Sequence, residues 1–161
     1  MTEQQERQRD RWLDAEEMRA WQAFLAAGAL VGRRVEQQLK EQAGLSHLQY
    51  EVLVRLSGAE NGEVRMTELA DSLFTSKSGL TYQIGQLEKT GLVRRRTCEF
   101  VHGVYACLTD AGRAKLAEIA PGHVAAVREY LIDHLDRDRL TAVADALETV
   151  ADHAADADWR P

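Results

Sequence analysis

Residues 76–91 read Ser76-Lys77-Ser78-Gly79-Leu80-Thr81-Tyr82-Gln83-Ile84-Gly85-Gln86-Leu87-Glu88-Lys89-Thr90-Gly91, and this stretch decides the fold. Ser76 supplies a side-chain oxygen for the free amides of a helix start, and Gly91 offers the left-handed conformation that ends one. The spacing therefore predicts a helix over Lys77–Thr90. At 100° per residue, Leu80, Ile84 and Leu87 fall in one narrow stripe and must face inward. The opposite side carries Ser78, Tyr82, Gly85 and Lys89, with Thr81 and Gln86 on its flanks. No acid lies on this outer face, and its residues are small or hydrogen-bonding, as close approach to base edges requires. Gly79 and Gly85 each cost about 1 kcal/mol inside a helix. Such a cost is consistent with close approach to another surface.

The flanking sequence completes a small domain. Upstream, Thr67 is expected to cap a short helix over Glu68–Phe74, preceded by a short edge strand at Val64–Met66. Downstream, Leu92–Arg96 and Val104–Leu108 are two strand-like runs around a turn near His102-Gly103. Before these, Ser46 opens a helix with Gln49 three residues on, a capping box, and Leu45, Leu48, Val52 and Leu56 form its apolar face. That face leaves His47 and Tyr50 turned the other way. Ser57–Glu63 reads as a loop. A long amphipathic helix over Met18–Leu39 carries Trp21, Leu25, Gly28, Val31, Val35 and Leu39 at helical spacing and stops near Gly44. Thr109 caps another long helix running to about His134, with a bend expected at Pro121. Asp136 caps the last helix, whose stripe is Leu140, Val143, Leu147, Val150 and Ala154. The predicted fold is mainly α: a winged helix-turn-helix with N- and C-terminal dimerisation helices and a small β-hairpin wing. The expected division is a polar tail over 1–14, a helical dimerisation region over 15–44 and 109–155, a DNA-binding domain over 45–108, and a tail over 156–161. The outer apolar seams are suited to pairing with a second copy.

Charge agrees with that layout. The 161 residues carry a formal charge of −6, which disfavours non-specific binding of nucleic acid by the molecule as a whole. Between Thr75 and Thr97, however, Lys77, Lys89, Arg94, Arg95 and Arg96 face one acid, Glu88, a local charge of +4 that leaves −10 for the rest. A basic island of this kind can meet phosphate while the remaining surface is repelled from it. Strands alternate faces, so Arg94 and Arg96 share a side and Arg95 points away. No apolar run approaches the ~18 residues of a membrane helix. The start of the chain lacks the apolar core of a signal peptide. Two cysteines cannot make a disulfide framework. A cytoplasmic location is expected.

The run from Met66 to Gly112 resembles the multiple-antibiotic-resistance regulator (MarR) family. The matching residues are Met66-Thr67-Glu68-Leu69-Ala70, Ser76-Lys77-Ser78-Gly79-Leu80-Thr81, Gln86-Leu87-Glu88-Lys89-Thr90-Gly91-Leu92-Val93-Arg94-Arg95 and Leu108-Thr109-Asp110-Ala111-Gly112. Weaker similarity covers Trp21 to Leu56. The resemblance implies a homodimeric winged-helix transcription regulator, often a repressor released from a roughly palindromic double-stranded operator by a small molecule. Base-edge contacts are then expected from Ser78, Thr81, Tyr82 and Gln86. Phosphate contacts are expected from Ser76, Lys77, Lys89, Arg94 and Arg96, with His102 at the wing tip. The family's wing carries an Asp-x-Arg that is missing from Cys98-Glu99-Phe100-Val101-His102-Gly103, which weakens the expected groove contact. The family's effector pocket lies between the dimerisation helices and the winged domain. The polar-tipped residues on the matching helices are Trp21, His47 and Tyr50, which suit a small amphipathic or aromatic anion.

Other chemistry finds little support in the residues. His47, His102, His123, His134 and His153 are scattered without metal-ligand spacing, so neither a metal nor another cofactor is expected. No phosphate loop, nucleophile elbow or paired-carboxylate pattern occurs, and no enzyme is expected. Cys98 and Cys107 lie on the two wing strands, but the turn places Cys98 opposite about Val104, too far from Cys107 for a disulfide. The rival readings are a helical dimer that has lost DNA binding and acts by protein contact or ligand sequestration, and a cysteine redox sensor.

Overall fold

The computed structural model describes residues 12–98 and 103–156. They form two units, residues 1–33 and 34–161. Helix α1, Ala15–Ala43, opens three residues before the predicted start, because Asp14 acts as its cap. Asp14 Oδ1 accepts from the amides of Glu16 and Glu17, and Glu17 returns a carboxylate to the Asp14 amide at 2.8 Å. In the N-terminal unit Leu13, Met18, Trp21, Phe24, Leu25 and Leu30 are exposed.

In the second unit, Gly44 takes a positive φ of 67° and releases the chain from α1. The predicted capping box then starts α2, His47–Gly58. Ser46 Oγ accepts from the Gln49 amide, and Gln49 Oε1 accepts from the Ser46 amide at 3.0 Å. The expected loop after it is shorter than predicted, since α2 runs on to Gly58 and a single 3-10 turn fills Glu60–Gly62. Strand β1 is Glu63–Arg65 and leads straight into α3, Met66–Ser72. Thr67 is therefore not the cap. Strand pairing holds Arg65 extended, so the helix begins directly after it and Thr67 sits within its first turn.

Helix α4, Lys77–Lys89, follows a turn in which Phe74 adopts a left-handed φ of 48°. Strands β2, Val93–Cys98, and β3, Gly103–Leu108, form the hairpin. The antiparallel sheet has the order β1-β3-β2, which makes β1 the predicted edge strand. Helix α5, Asp110–Tyr130, carries Pro121 in its interior and ends four residues early, giving way to a 3-10 turn at Ile132–His134. Helix α6, Arg137–Asp156, starts at Asp136 as expected, with Asp136 accepting from the Arg139 amide. Among the described residues no helix is long and apolar enough to cross a membrane.

The core lies around α2. Val52, Leu53 and Leu56 are fully buried together with Leu39, Leu69, Leu80, Ile84, Leu87, Val93 and Ile119. Helix α2 touches α4, α5, β1 and β3, so it is covered on more than one side. A single-stripe reading of it therefore fails at Tyr50, which is 5% exposed rather than turned outward.

One junction fastens the hairpin to the helices. The Thr109 amide donates to the Leu92 carbonyl at 3.2 Å. Its hydroxyl lies 2.7 Å from the Gly91 carbonyl and 3.0 Å from that of Leu92, and it accepts from the Gly112 amide as the cap of α5. A Cβ at Gly112 would collide with the Leu92 carbonyl oxygen and lie 2.7 Å from Leu108 Cδ1. The motif Leu108-Thr109-Asp110-Ala111-Gly112 is thus tied to Gly91-Leu92 by contact geometry. Gly112→Ala is expected to lower stability by about 2 kcal/mol through overpacking, read as a lower midpoint in urea unfolding with an unchanged slope.

Candidate nucleic-acid interface

Helix α4 presents the face predicted for it. Leu80, Ile84 and Leu87 are buried, while Lys77, Ser78, Thr81, Tyr82 and Lys89 are exposed and Gln86 is half-buried. Tyr82 stands out at 64% exposure. Ser76 Oγ caps the helix by accepting from the Gly79 amide at 3.0 Å, and it lies 3.2 Å from Ser78 Oγ. A Cβ at Gly79 would come within 2.9 Å of that same Ser76 oxygen, so this glycine serves the cap. Thr81 donates its hydroxyl to the Lys77 carbonyl at 2.7 Å, which fixes its rotamer.

The three arginines of β2 divide as alternation predicts, but their partners differ from expectation. Arg96 forms an ion pair with Glu63 of β1 at 2.6 Å, and its guanidinium lies 5.3 Å from the Tyr105 ring centre. It can meet a phosphate only by sharing or exchanging that carboxylate. Glu63 is held below the usual carboxylate range, chiefly by this hydrogen bond to Arg96. Arg95 turns toward the helix. Its Nε and Nη2 donate to Glu88 Oε2 at 2.7 and 2.6 Å, and its amide donates to Oε1 at 2.8 Å. A Cβ on Gly85 would lie 3.6 Å from that guanidinium, so Arg95 flanks the outer face of α4. The sequence reading did not select Arg95. Its signal was Glu88, seven residues earlier, but pairing it required the fold. Arg94 is exposed beside Cys107 in the register. His102, the expected wing-tip contact, lies outside the described residues.

The hairpin register pairs Cys98 with Gly103, one residue from the expected partner, and Cys107 with Arg94. Four strand residues, about 13 Å, separate the two cysteine positions, beyond disulfide reach. Cys107 is a buried free thiol that donates to Glu63 at 3.5 Å, and burial pushes its pKa up.

The three expected effector residues belong to two different units. Trp21 belongs to the N-terminal unit, where it stacks on Phe24 with ring centres 6.0 Å apart. His47 and Tyr50 come together around His123 of α5. The Tyr50 and His123 rings are 4.2 Å apart, and those of His47 and His123 are 5.9 Å apart. His47 Nε2 lies 3.6 Å from Glu51 Oε1, and this carboxylate raises the His47 pKa against the opposing effect of burial. His123 is lowered, first by burial and then by the nearby His47 charge. The His47 amide donates to Glu36 at 2.6 Å. Burial alone would raise Glu36, but that amide and Lys40 outweigh it and hold the carboxyl down. A separate groove of about 510 Å³ is lined by Arg34, Gln38, Gln42, Glu129 and Tyr130 among others, and by none of the three expected residues.

The sequence and structure have clear relatives. The family model described as MarR family matches residues 43–100. Sco3205, a MarR family transcriptional regulator from Streptomyces coelicolor solved in complex with DNA, is 37% identical with a TM-score of 0.86. The match covers 89% of this chain and 90% of that one. AbsC, a MarR family transcriptional regulator from the same organism, is 39% identical with a TM-score of 0.85, over 89% of this chain and 97% of its own. The chain belongs to the MarR family. The HTH-type transcriptional repressor YetL from Bacillus subtilis (strain 168) is 28% identical over 97 residues, 60% of this chain and 58% of its own length. Within the MarR fold, α4 occupies the second-helix position of the helix-turn-helix and β2–β3 form the wing.

The Glu88–Arg95 clamp makes a pH-dependent contribution. Its hydrogen bonds to Arg95 hold Glu88 below the ordinary value of 4.5, so the stabilisation is present above that pH and lost as pH falls through the folded-state pKa. Solvent screening holds an exposed pair of this kind to about 0.5 kcal/mol. Glu88→Gln should therefore be slightly less stable than the parent in neutral urea unfolding, and the difference should shrink as pH falls below the ordinary value of 4.5. A difference that persists at low pH would assign the loss to packing instead.

Proposed function

We propose that this MarR family regulator binds a roughly palindromic double-stranded operator as a homodimer, most simply as a repressor that a small molecule releases. The observation that carries this reading is the outer face of α4. It is free of acid from Lys77 to Gln86, it starts with a cap and a lysine, and it is flanked by Arg95. Ser78, Thr81, Tyr82 and Gln86 would read base edges in the major groove. Ser76, Lys77, Lys89 and Arg94 would hold the backbone, with Arg96 joining them if a phosphate displaces Glu63. His102 would reach the flanking groove from the wing tip. The DNA complex of the 37%-identical Sco3205 supports this docking.

Uncovered apolar surface supports the dimer. Leu13, Trp21, Phe24, Leu25 and Leu30 on and before α1 are exposed, and so are Val143, Leu147 and Val150 on α6. Apolar faces of that extent on regular helices are stabilised by a second copy. An amphipathic or aromatic anion would act as effector from the side of α2 that bears His47 and Tyr50. The name of YetL as a repressor favours repression over activation.

Fluorescence anisotropy on the DNA upstream of its own coding sequence tests this reading. Binding should resist scrambled competitor and weaken steeply with salt. Gln86→Ala should cost about 1–3 kcal/mol on that site and little on scrambled DNA, whereas Lys77→Ala should weaken both and reduce the salt slope by about 1. Equal affinity for specific and scrambled duplex, there and after genome-wide site selection, would shift the reading to a dimer acting by protein contact.

A further inference from the structure

We propose that His47, Glu51 and His123 form a binding site for a first-row divalent transition metal, zinc(II) in particular, that ties α2 to α5. One ligand atom from each of the three side chains lies within 4.8 Å of the other two. His47 and Glu51 stand one helical turn apart on α2, with Nε2 and Oε1 already 3.6 Å apart. A tetrahedral ion with bonds of about 2.0–2.1 Å sets its ligand atoms about 3.3 Å apart. Closing the triangle needs only small side-chain rotations.

The donor set is two imidazoles and one carboxylate, a borderline combination that suits zinc and disfavours the all-oxygen cations magnesium and calcium. His123 Nδ1 is buried and has no hydrogen-bond partner among the described residues, an unmet need that a metal bond would satisfy. The surroundings hold the ligands in place. The Tyr50 ring packs against His123, and the His47 backbone is anchored by Glu36. Three protein ligands leave a fourth position for water or for an anionic molecule. The i, i+4 pair was visible in the sequence, but the third ligand lies 72 residues beyond Glu51 and only the packing of α5 on α2 brings it in.

The site is tested without DNA. The full chain, stripped with chelator, is titrated with zinc against a chromophoric competitor, and with cobalt(II) to read ligand-field absorption. The expected result is one ion per chain and the intense visible bands of a four-coordinate cobalt site. Glu51→Gln and His123→Gln should each weaken zinc binding by more than about 100-fold, beyond the ~10–100-fold of an outer-shell change. Circular dichroism checks that each variant folds. Glu51→Gln, a change that nearly keeps the size and shape of the side chain, keeps the test decisive if His123→Gln does not fold. Failure of the parent to compete for zinc, or variants that bind as the parent does, would overturn the proposal and leave a stacked histidine pair. Zinc held equally after both substitutions would place the ion elsewhere and overturn it too.

Discussion

The Leu92 carbonyl is where the helix-turn-helix, the wing and α5 are joined. It leaves α4 through Gly91, whose positive φ of 73° turns the chain into β2. It accepts from the amide of Thr109, and the Thr109 hydroxyl reaches the same carbonyl while capping α5. Only a residue without a side chain fits at position 112 against it. The end of one helix, the mouth of the hairpin and the start of the next helix are therefore set by a few hydrogen bonds around one peptide group. Placement of the outer face of α4 beside β2 follows from that junction. The Glu88–Arg95 clamp then fixes strand to helix from the solvent side.

Charge is arranged with equal economy. The island between Thr75 and Thr97 is not a row of unengaged cations, because Arg95 and Arg96 each hold a glutamate. These pairs lower the cost of crowding three arginines on one strand, and they give the surface proposed to meet phosphate a built-in competitor. Lys77, Lys89 and Arg94 are the other cations of the island, and all three are exposed. Binding that must displace Glu63 from Arg96 would depend on salt and pH differently from binding through Lys77 alone.

Helix α2 links the proposed interface to the metal cluster. It packs against α4 on one side and α5 on another, and it carries both His47 and the core residues Val52, Leu53 and Leu56. A ligand that changes how α2 meets α5 acts on an element in direct contact with α4. Such contact gives regulation a short physical route through packed side chains, without a long pathway.

The sequence by itself determined the elements and several of their ends. Ser46, Ser76, Thr109 and Asp136 are caps as read, Gly44 and Gly91 are stops as read, and the inward stripe of α4 is Leu80, Ile84 and Leu87. Caps, stops and stripes are local, because they depend on hydrogen bonds and side-chain directions within about one helical turn. Local rules also misled where tertiary packing took over. Thr67 lost its role because a strand hydrogen-bonded to β3 runs directly into α3. Tyr50 was buried because α2 is covered on more than one face. Only the tertiary structure decided which carboxylate each arginine meets, and that His47, Glu51 and His123 share one place. Those pairings join residues 33 and 72 positions apart, Glu63 with Arg96 and Glu51 with His123. No periodicity encodes such distances; they are set by how helices and strands with separate local instructions close over a common core.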